Sequence, residues 1–415
     1  MPPPSTPKRS PENDPHLRRN FTALLIHGLL GQTGFRLLQA PTFLPAYLSL
    51  LAGNNSAIGI ARALQSLGMS LSPYLAAWMV ERRTYVKRLA VSFGALMRSQ
   101  ILLLSLTAFF VPRRHALVAV WIVIGMWGLA SGLQNVSFNF IISKVIPPMK
   151  RGRLLGLRNA TSGITLLFVS VLGGWIVDRS PFPAGYAWTF LLAFVLTSLG
   201  LVAFATIHET PTLNPQPATP FVARLKSIPA LLAGEPGFKR FFAARLLGTA
   251  GRSSIPFYIL YVGQRYELSG SRLATFTIVF TLANAAGAMI WGLLADHRGF
   301  RIVFLAGLCV WMAGNALVLT TGVLWTAYVV FFLVSFGASG FMLAGQNLVL
   351  EFGDEQNRAM RIGATNASSE LVGALGYLGA GLLADLAPLR WVFWLSLAFQ
   401  LAALLQIRKV REPRG

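Results

Sequence analysis

The chain is poor in charge, poorer still in acid, and almost without cysteine. Charged residues fill 12% of its 415 positions, and only 14 are Asp or Glu against 36 Lys or Arg. Soluble domains carry roughly 25% charged residues, so half that share argues against a water-soluble body of this length. The single cysteine, Cys309, excludes an intramolecular disulfide, a zinc site and a cysteine-rich cofactor centre. The first 20 residues are polar and Pro-rich, so no cleavable signal peptide is expected and the first apolar segment must direct its own insertion. There is no G-x-x-x-x-G-K-[ST] run to hold a nucleotide. The apolar segments contain neither a paired nucleophile and base nor a metal-ligand cluster. No cofactor, no metal and no enzymatic activity are expected. The formal charge of +22 comes without Lys/Arg tracts interleaved with stacking aromatics, which argues against nucleic acid.

What fills the chain is apolar sequence, 54% of it. A helix needs about 20 apolar residues to cross roughly 30 Å of hydrocarbon. Segments of that length fall near 21–51, 56–80, 89–111, 116–142, 154–177 and 187–207, then near 239–262, 271–295, 301–321, 324–350, 361–384 and 389–407. The expected fold is an all-α membrane protein of twelve transmembrane helices. If the N-terminus is cytoplasmic, 25 of the 36 Lys and Arg flank spans on the inside and six lie outside. Basic residues resist translocation, so both termini are placed in the cytoplasm and the protein in the inner or plasma membrane, among its lipids.

The polar break at 208–238 holds six prolines and reads as a cytoplasmic linker; Phe221 to Ala233 fits either a short helix on the inner surface or plain chain. The break divides the sequence into a tail (1–20), a six-helix bundle (21–207), the linker, a second six-helix bundle (239–408) and a tail (409–415). The bundles repeat one another. At a shift of 207, Arg151 falls on Arg358, Gly156 on Gly363, Asn159 on Asn366, Gly174 on Gly381 and Asp178 on Asp385; at 215, Ala77 falls on Gly292 and Glu81 on Asp296. The order is collinear, so the bundles are related by a pseudo-twofold along the membrane normal, an arrangement transporters use to place a site at the midplane.

After the eighth span the chain reads Gly292-Leu-Leu-Ala-Asp296-His-Arg298-Gly299-Phe-Arg301, with a worn copy at Ala77-Trp-Met-Val-Glu81-Arg82-Arg83 after the second. This resembles the G-x-L-a-D-r-x-G-r-r signature of the major facilitator superfamily, and span count, repeat and linker extend the resemblance over residues 20–408. Gly292 would let helices approach closely, and Gly299 would permit φ > 0 in a tight turn. The resemblance implies a latch: Glu81 acting towards the eleventh span near Arg361, and Asp296 towards the fifth near Arg153, each favouring a helix N-terminus. A turn with solvated charges is the plainer alternative.

The resemblance also implies that the first, fourth, seventh and tenth spans line a central cavity. Gln32, Arg36 and Gln39 share a face of the first, and Arg245, Thr249 and Arg252 a face of the seventh. Arg36 and Arg252 are expected opposite each other, where guanidiniums would orient a carboxylate or phosphate; the alternative is pairing with Glu370 or backbone carbonyls. Asn135 and Asn139 in the fourth span, Gln346 in the tenth and Asn366 in the eleventh are candidate substrate contacts, or else helix–helix hydrogen bonds. Glu370, the one acid well inside a span, is a candidate proton carrier or a fixed counter-ion. Arg62 reads as lying in the outer third of the second span, and Arg98 as a structural residue of the third. Gly128 and Gly132, with Gly373, Gly376 and Gly379, read as close-packing ridges. Pro41, Pro45, Pro73 and Pro256 read as helix breaks. No Arg opens the fourth span and Gly173-Gly174 lacks a Pro, which departs from the drug/proton antiporters.

The reading that follows is a monomeric secondary transporter working by rocker-switch alternating access, with a small organic solute, anionic, as substrate and protons or a counter-transported anion as coupling partners. Rivals on the same fold are a lipid or amphiphile translocator, a drug/proton antiporter, and a transport-inactive sensor or scaffold.

Overall fold

The computed structural model describes residues 15–211, 232, 234–320, 323–352 and 355–410, and among them every regular element is helical. The side chain of Glu81 and nearly all of the candidate surface helix over 221–233 lie outside the described residues.

Twelve spans are present. Nine are continuous α-helices over most of their length: the second is Ser56–Glu81, the third Lys87–Phe110, the fourth Arg113–Val145, the fifth Pro148–Arg179, the sixth Ala184–Ala205, the eighth Gly270–Arg298, the ninth Phe300–Thr320, the eleventh Glu355–Leu386 and the twelfth Arg390–Arg408. The tenth, Leu324–Asn347, ends in a short 3₁₀ turn. The first and seventh are broken. The first runs Leu17–Ile26, passes through a π-helical turn at His27–Gln32, resumes as Thr33–Gln39, and restarts at Phe43–Ala52. Its break has a simple cause. A residue before proline is driven out of the α region, and Ala40 before Pro41 is extended, with ψ of 143°. The seventh is Pro236–Gly251, a 3₁₀ turn Arg252–Phe257 around Pro256, and Tyr258–Gly263. The other two prolines do not break helices. Pro45 sits in the first turn of Phe43–Ala52, where a missing N–H costs nothing, and Pro73 lies inside the unbroken second span.

Among the described residues, the first, second and seventh spans are the ones too polar or too short to count as membrane-crossing by apolar length alone. All three line the cavity between the bundles. Elsewhere the outer surface is apolar, with Phe110, Ile122, Phe168, Met289 and Trp391 among its exposed side chains, as a lipid-facing belt requires.

The Gly128–Gly132 ridge packs the fourth span onto the second. A Cβ at Gly128 would strike the backbone of Gln65, and one at Gly132 the hydroxyl of Ser72. The eleventh-span ridge is only partly used: Gly376 lies against Ala250, whereas a side chain at Gly379 would meet nothing within 4 Å. Gly299 has φ of 81°, the conformation its turn requires. Gly292 has no neighbour within 4 Å of a Cβ, so the close approach expected there is not made in this conformation.

Both described ends of the chain lie on one face. There Asn20 exchanges two hydrogen bonds with His208 (2.9 and 2.8 Å), Glu209 accepts from the amides of Val86 and Lys87 and from Lys144 Nζ at 2.8 Å, and Arg301 reaches the Arg408 carbonyl. We call this the terminal face and the opposite one the distal face. The bundles meet at the distal face, where the second span packs on the eleventh through Gly59 and Gly381, and the fifth on the eighth through Gly174 and Gly270. Thr42 and Thr277 hydrogen-bond across the same seam at 2.6 Å. Towards the terminal face the bundles part: Cβ atoms built at Gly152, Gly156 or Gly292 would meet nothing within 4 Å.

Gly128→Ala is expected to cost about 1–3 kcal/mol through overpacking against the second span. Gly152→Ala, with open space around it, gains about 0.5–1 kcal/mol of helix propensity. Thermal unfolding of the two variants in the same detergent checks the difference in sign.

Candidate functional site

The second span places Arg62, Gln65, Ser66 and Met69 at i, i+3, i+4 and i+7, one face of a helix. That face looks into a cavity of 280 Å³ between the bundles. Phe35 and Gln39 of the first span, Arg252 of the seventh, and Glu370 and Tyr377 of the eleventh complete the wall. A second lobe of 170 Å³ shares Gln39, Arg62 and Tyr377 and adds Pro41, Ile255, Pro256 and Phe280. The two proline breaks therefore border the site. Gly373 lies beside it, where a Cβ would make ordinary contacts with Thr249, Arg252 and Ser66.

The cavity is rich in donors. Arg252 Nη2 lies 3.6 Å from Glu370 Oε1, with the Tyr377 hydroxyl against the same guanidinium and Met342 Sδ 3.8 Å from Nη1. Arg62 Nη1 donates to Gln65 Oε1 at 2.9 Å. Two buried atoms have no protein partner, Gln65 Nε2 and Arg252 Nε, and both are N–H donors. Buried donors left unmet are costly. The lining carries two guanidiniums and one carboxylate.

Arg36 lines neither lobe. It turns to the fifth span, where Nη2 donates to Asn159 Oδ1 at 3.0 Å and Nη1 to the Asn159 carbonyl at 3.4 Å. The place expected for it, opposite Arg252, is taken by Arg62. Of the other candidates, Gln39 and Arg252 line the cavity, while Gln32 accepts from Ser162 at 3.1 Å. Asn139 donates to Asn135 at 3.2 Å, and both are exposed, as are Gln346 and Asn366. Glu370 stands as the counter-ion of Arg252 in this conformation, not of Arg36. The signal for the second-span face was present in the sequence as a polar helical stripe, 62–65–66–69. Arg62, the seventh residue of the second span, lies in its outer third as the sequence indicates, and it faces the cavity there.

The contacts expected of a latch at the terminal face are not made by Asp296 among the described residues. Asp296 and Arg153 are both exposed and form no ion pair among the described residues, and Arg361 pairs instead with Glu235 at 3.0 Å and stands over the Phe238 ring. Arg82 covers the Trp78 ring at 4.6 Å; Arg83 and Arg298 are exposed.

A further set of cations is buried away from the cavity. The π-helical turn begins at His27, which lies between Arg158 (3.2 Å from Nδ1) and Arg98 (3.5 Å from Nε2). Arg98 also donates to the Thr197 and Gly94 carbonyls and to Gln134, and Arg158 to the Leu24 carbonyl while covering the Phe138 ring. These groups tie the first, third, fourth, fifth and sixth spans together. Arg158 is therefore an interior residue. Arg245 is likewise buried, over the Phe341 ring.

The sequence profile of the major facilitator superfamily matches residues 24–250 and again 241–415. The chain belongs to the major facilitator superfamily. It is a membrane transporter of small solutes rather than an enzyme. No curated protein is detectably similar in sequence. Solved superfamily members share the fold at low identity. A point mutant of the nucleoside transporter NupG aligns over 94% of this chain and 99% of its own at 12% identity, with a TM-score of 0.76. A D-xylose–proton symporter aligns over 96% and 98% at 16% identity, TM-score 0.70. The human organic anion transporter MFSD10 (TETRAN) aligns over 95% and 100% at 15% identity, TM-score 0.65. Such identities establish the superfamily architecture and leave the cargo to be read from the cavity itself.

The Arg252–Glu370 pair is loose, with side chains 19% and 24% exposed. A double-mutant cycle of Arg252→Met and Glu370→Gln, read by thermal unfolding, is expected to give a coupling of about 1 kcal/mol, low in the range for contacting charges. A coupling of zero would show that the two do not interact.

Proposed function

We propose that this superfamily member carries a small organic anion across the plasma membrane by rocker-switch alternating access. Its termini are cytoplasmic, and the conformation described here opens to the cytoplasm. The orientation rests on the excess of Lys and Arg at the terminal face. The anion rests on one observation: the cavity lining sets the Arg62 and Arg252 guanidiniums against a single acid, Glu370. A carboxylate accepts several hydrogen bonds at once, and charge-assisted bonds of this kind are about twice as strong as neutral ones. A neutral sugar or nucleoside would leave the excess positive charge uncompensated in low dielectric. The larger lobe is at the small end of the ligand-pocket range of roughly 300–1,000 Å³, which suits a compact metabolite better than a lipid. Of the cargoes named for the structural neighbours, an organic anion is the one this lining fits.

A thermal-shift screen of the purified monomer against small organic anions tests the reading. Arg62→Ala and Arg252→Ala should each weaken the stabilising anion about 10- to 100-fold, the loss of one or two charge-assisted bonds. Unchanged shifts in both variants would remove the anion. Glu370→Gln separates its two roles: a proton carrier loses response of uptake to an imposed pH gradient, whereas a fixed counter-ion keeps it.

A further inference from the structure

Asp178 and Asp385 sit in the last turns of the fifth and eleventh spans, at the distal face. That is a poor place for a carboxylate within its own helix, because the C-terminal end of a helix carries partial negative charge. Each is compensated from the opposite bundle. Asp178 Oδ1 and Oδ2 accept from the amides of Gly270 and Ser271, 2.5 and 2.8 Å away, at the start of the eighth span. Asp385 Oδ1 and Oδ2 accept from the amides of Asn55 and Ser56, 2.7 and 3.0 Å away, at the start of the second. Amides in the first turn of a helix have no intrahelical acceptor, so each carboxylate meets two donors that nothing else in the helix satisfies. The two sites are equivalent in the repeat: the shift of 207 carries Asp178 onto Asp385, and the shift of 215 carries Asn55 and Ser56 onto Gly270 and Ser271. Beside each one, glycine backbones touch across the seam, Gly174 on Gly270 and Gly59 on Gly381.

We infer that Asp178 and Asp385 are gating residues, two symmetry-related carboxylate clamps that hold the distal face shut and must both release for it to open. The helix pairs involved, second with eleventh and fifth with eighth, are antiparallel. Each helix therefore offers an N-terminus at one face and a carboxylate-bearing C-terminus at the other. At the terminal face the carboxylates are Glu81 and Asp296, on the second and eighth spans, and the facing N-termini belong to the eleventh and fifth. The same two helix pairs thus carry matching clamps at both ends. The distal set is engaged while Asp296 stands free at the terminal set. This exchange of clamps rests on the alternating-access reading proposed above.

The test is electron–electron resonance on the full chain in lipid nanodiscs, with Cys309→Ser and spin labels at Arg114→Cys and Gln264→Cys, exposed distal positions on opposite bundles. Asp178→Asn and Asp385→Asn should each raise the ratio of distal-open to distal-closed molecules about fivefold, the upper end for an exposed charge at a helix end. The double variant should raise it about 25-fold, since the sites are far apart and their effects add in free energy. Glu267→Gln, an exposed acid on the same face, should leave the ratio unchanged. A ratio unmoved in both single variants, or moved equally by Glu267→Gln, overturns the clamps while leaving alternating access intact. A parent chain that shows no distal-open distances under any condition overturns alternating access and the clamps together. Hydrogen exchange on the unsubstituted protein needs no variant to fold: the amides of Asn55, Ser56, Gly270 and Ser271 should share one protection factor after correction for intrinsic rates, because one bundle motion frees all four. Independent exchange at the two sites contradicts the inference.

Discussion

A polar group in hydrocarbon must find its partners inside the protein, because no water is present to supply them. That constraint governs where each arginine of this chain can stand. Those at the terminal face remain in contact with water and headgroups. Arg98, Arg158 and Arg245 are buried, and each is surrounded by neutral acceptors, a histidine or an aromatic face rather than by acid. Arg62 and Arg252 are different. Both line the cavity, where Arg62 donates to Gln65 and Arg252 stands 3.6 Å from Glu370. What separates the binding site from the structural networks is the cavity itself, onto which only Arg62 and Arg252 of these arginines face.

The same constraint shapes the helices. Each bundle needs a polar fastening to hold its peripheral spans, and the two halves have found unlike solutions at related places. The N-terminal bundle uses the His27 cluster to join its first, third and sixth spans. The C-terminal bundle joins the seventh, ninth and twelfth through Tyr258, Asn315, Ser396 and Gln400, with Asn315 Nδ2 donating to Gln400 at 2.8 Å. The backbone architecture kept its duplication while the fastening chemistry diverged. By contrast, the carboxylates at the distal seam stayed equivalent, because both must meet the same geometry, a helix N-terminus presented by the other bundle.

The twelve spans and their bounds were legible because apolar length against bilayer thickness is a strong, local signal. The third, fourth and fifth extend a few residues beyond it, carried by basic first turns such as Lys150-Arg151 that length counting excludes. The repeat was legible for the same reason, and Gly299 because a turn of that kind demands φ > 0. The site was legible only in part. Charges inside apolar runs flagged Arg252 and Glu370, and spacing flagged Gln39. Which arginine faces Arg252 depends on rotation about the helix axis, and the break at Pro41 together with the π-turn at His27–Gln32 resets that rotation in the first span. No periodicity argument registers a π-turn, and Arg36 consequently faces Asn159 of the fifth span while Arg62 faces the cavity. The motif names Asp296 and Arg153 as partners, and it does not fix the distance between the bundles that would bring them together.

The claim on which most depends is that a small anion binds between Arg62 and Arg252. Crystals or nanodisc particles of the full chain soaked with 4-iodobenzoate test it directly, by locating the iodine and the carboxylate. The carboxylate is expected between the two guanidiniums, within hydrogen-bond reach of Gln65 Nε2. A carboxylate bound to Arg36 at Asn159, or held only on the lipid-facing surface, would contradict the claim.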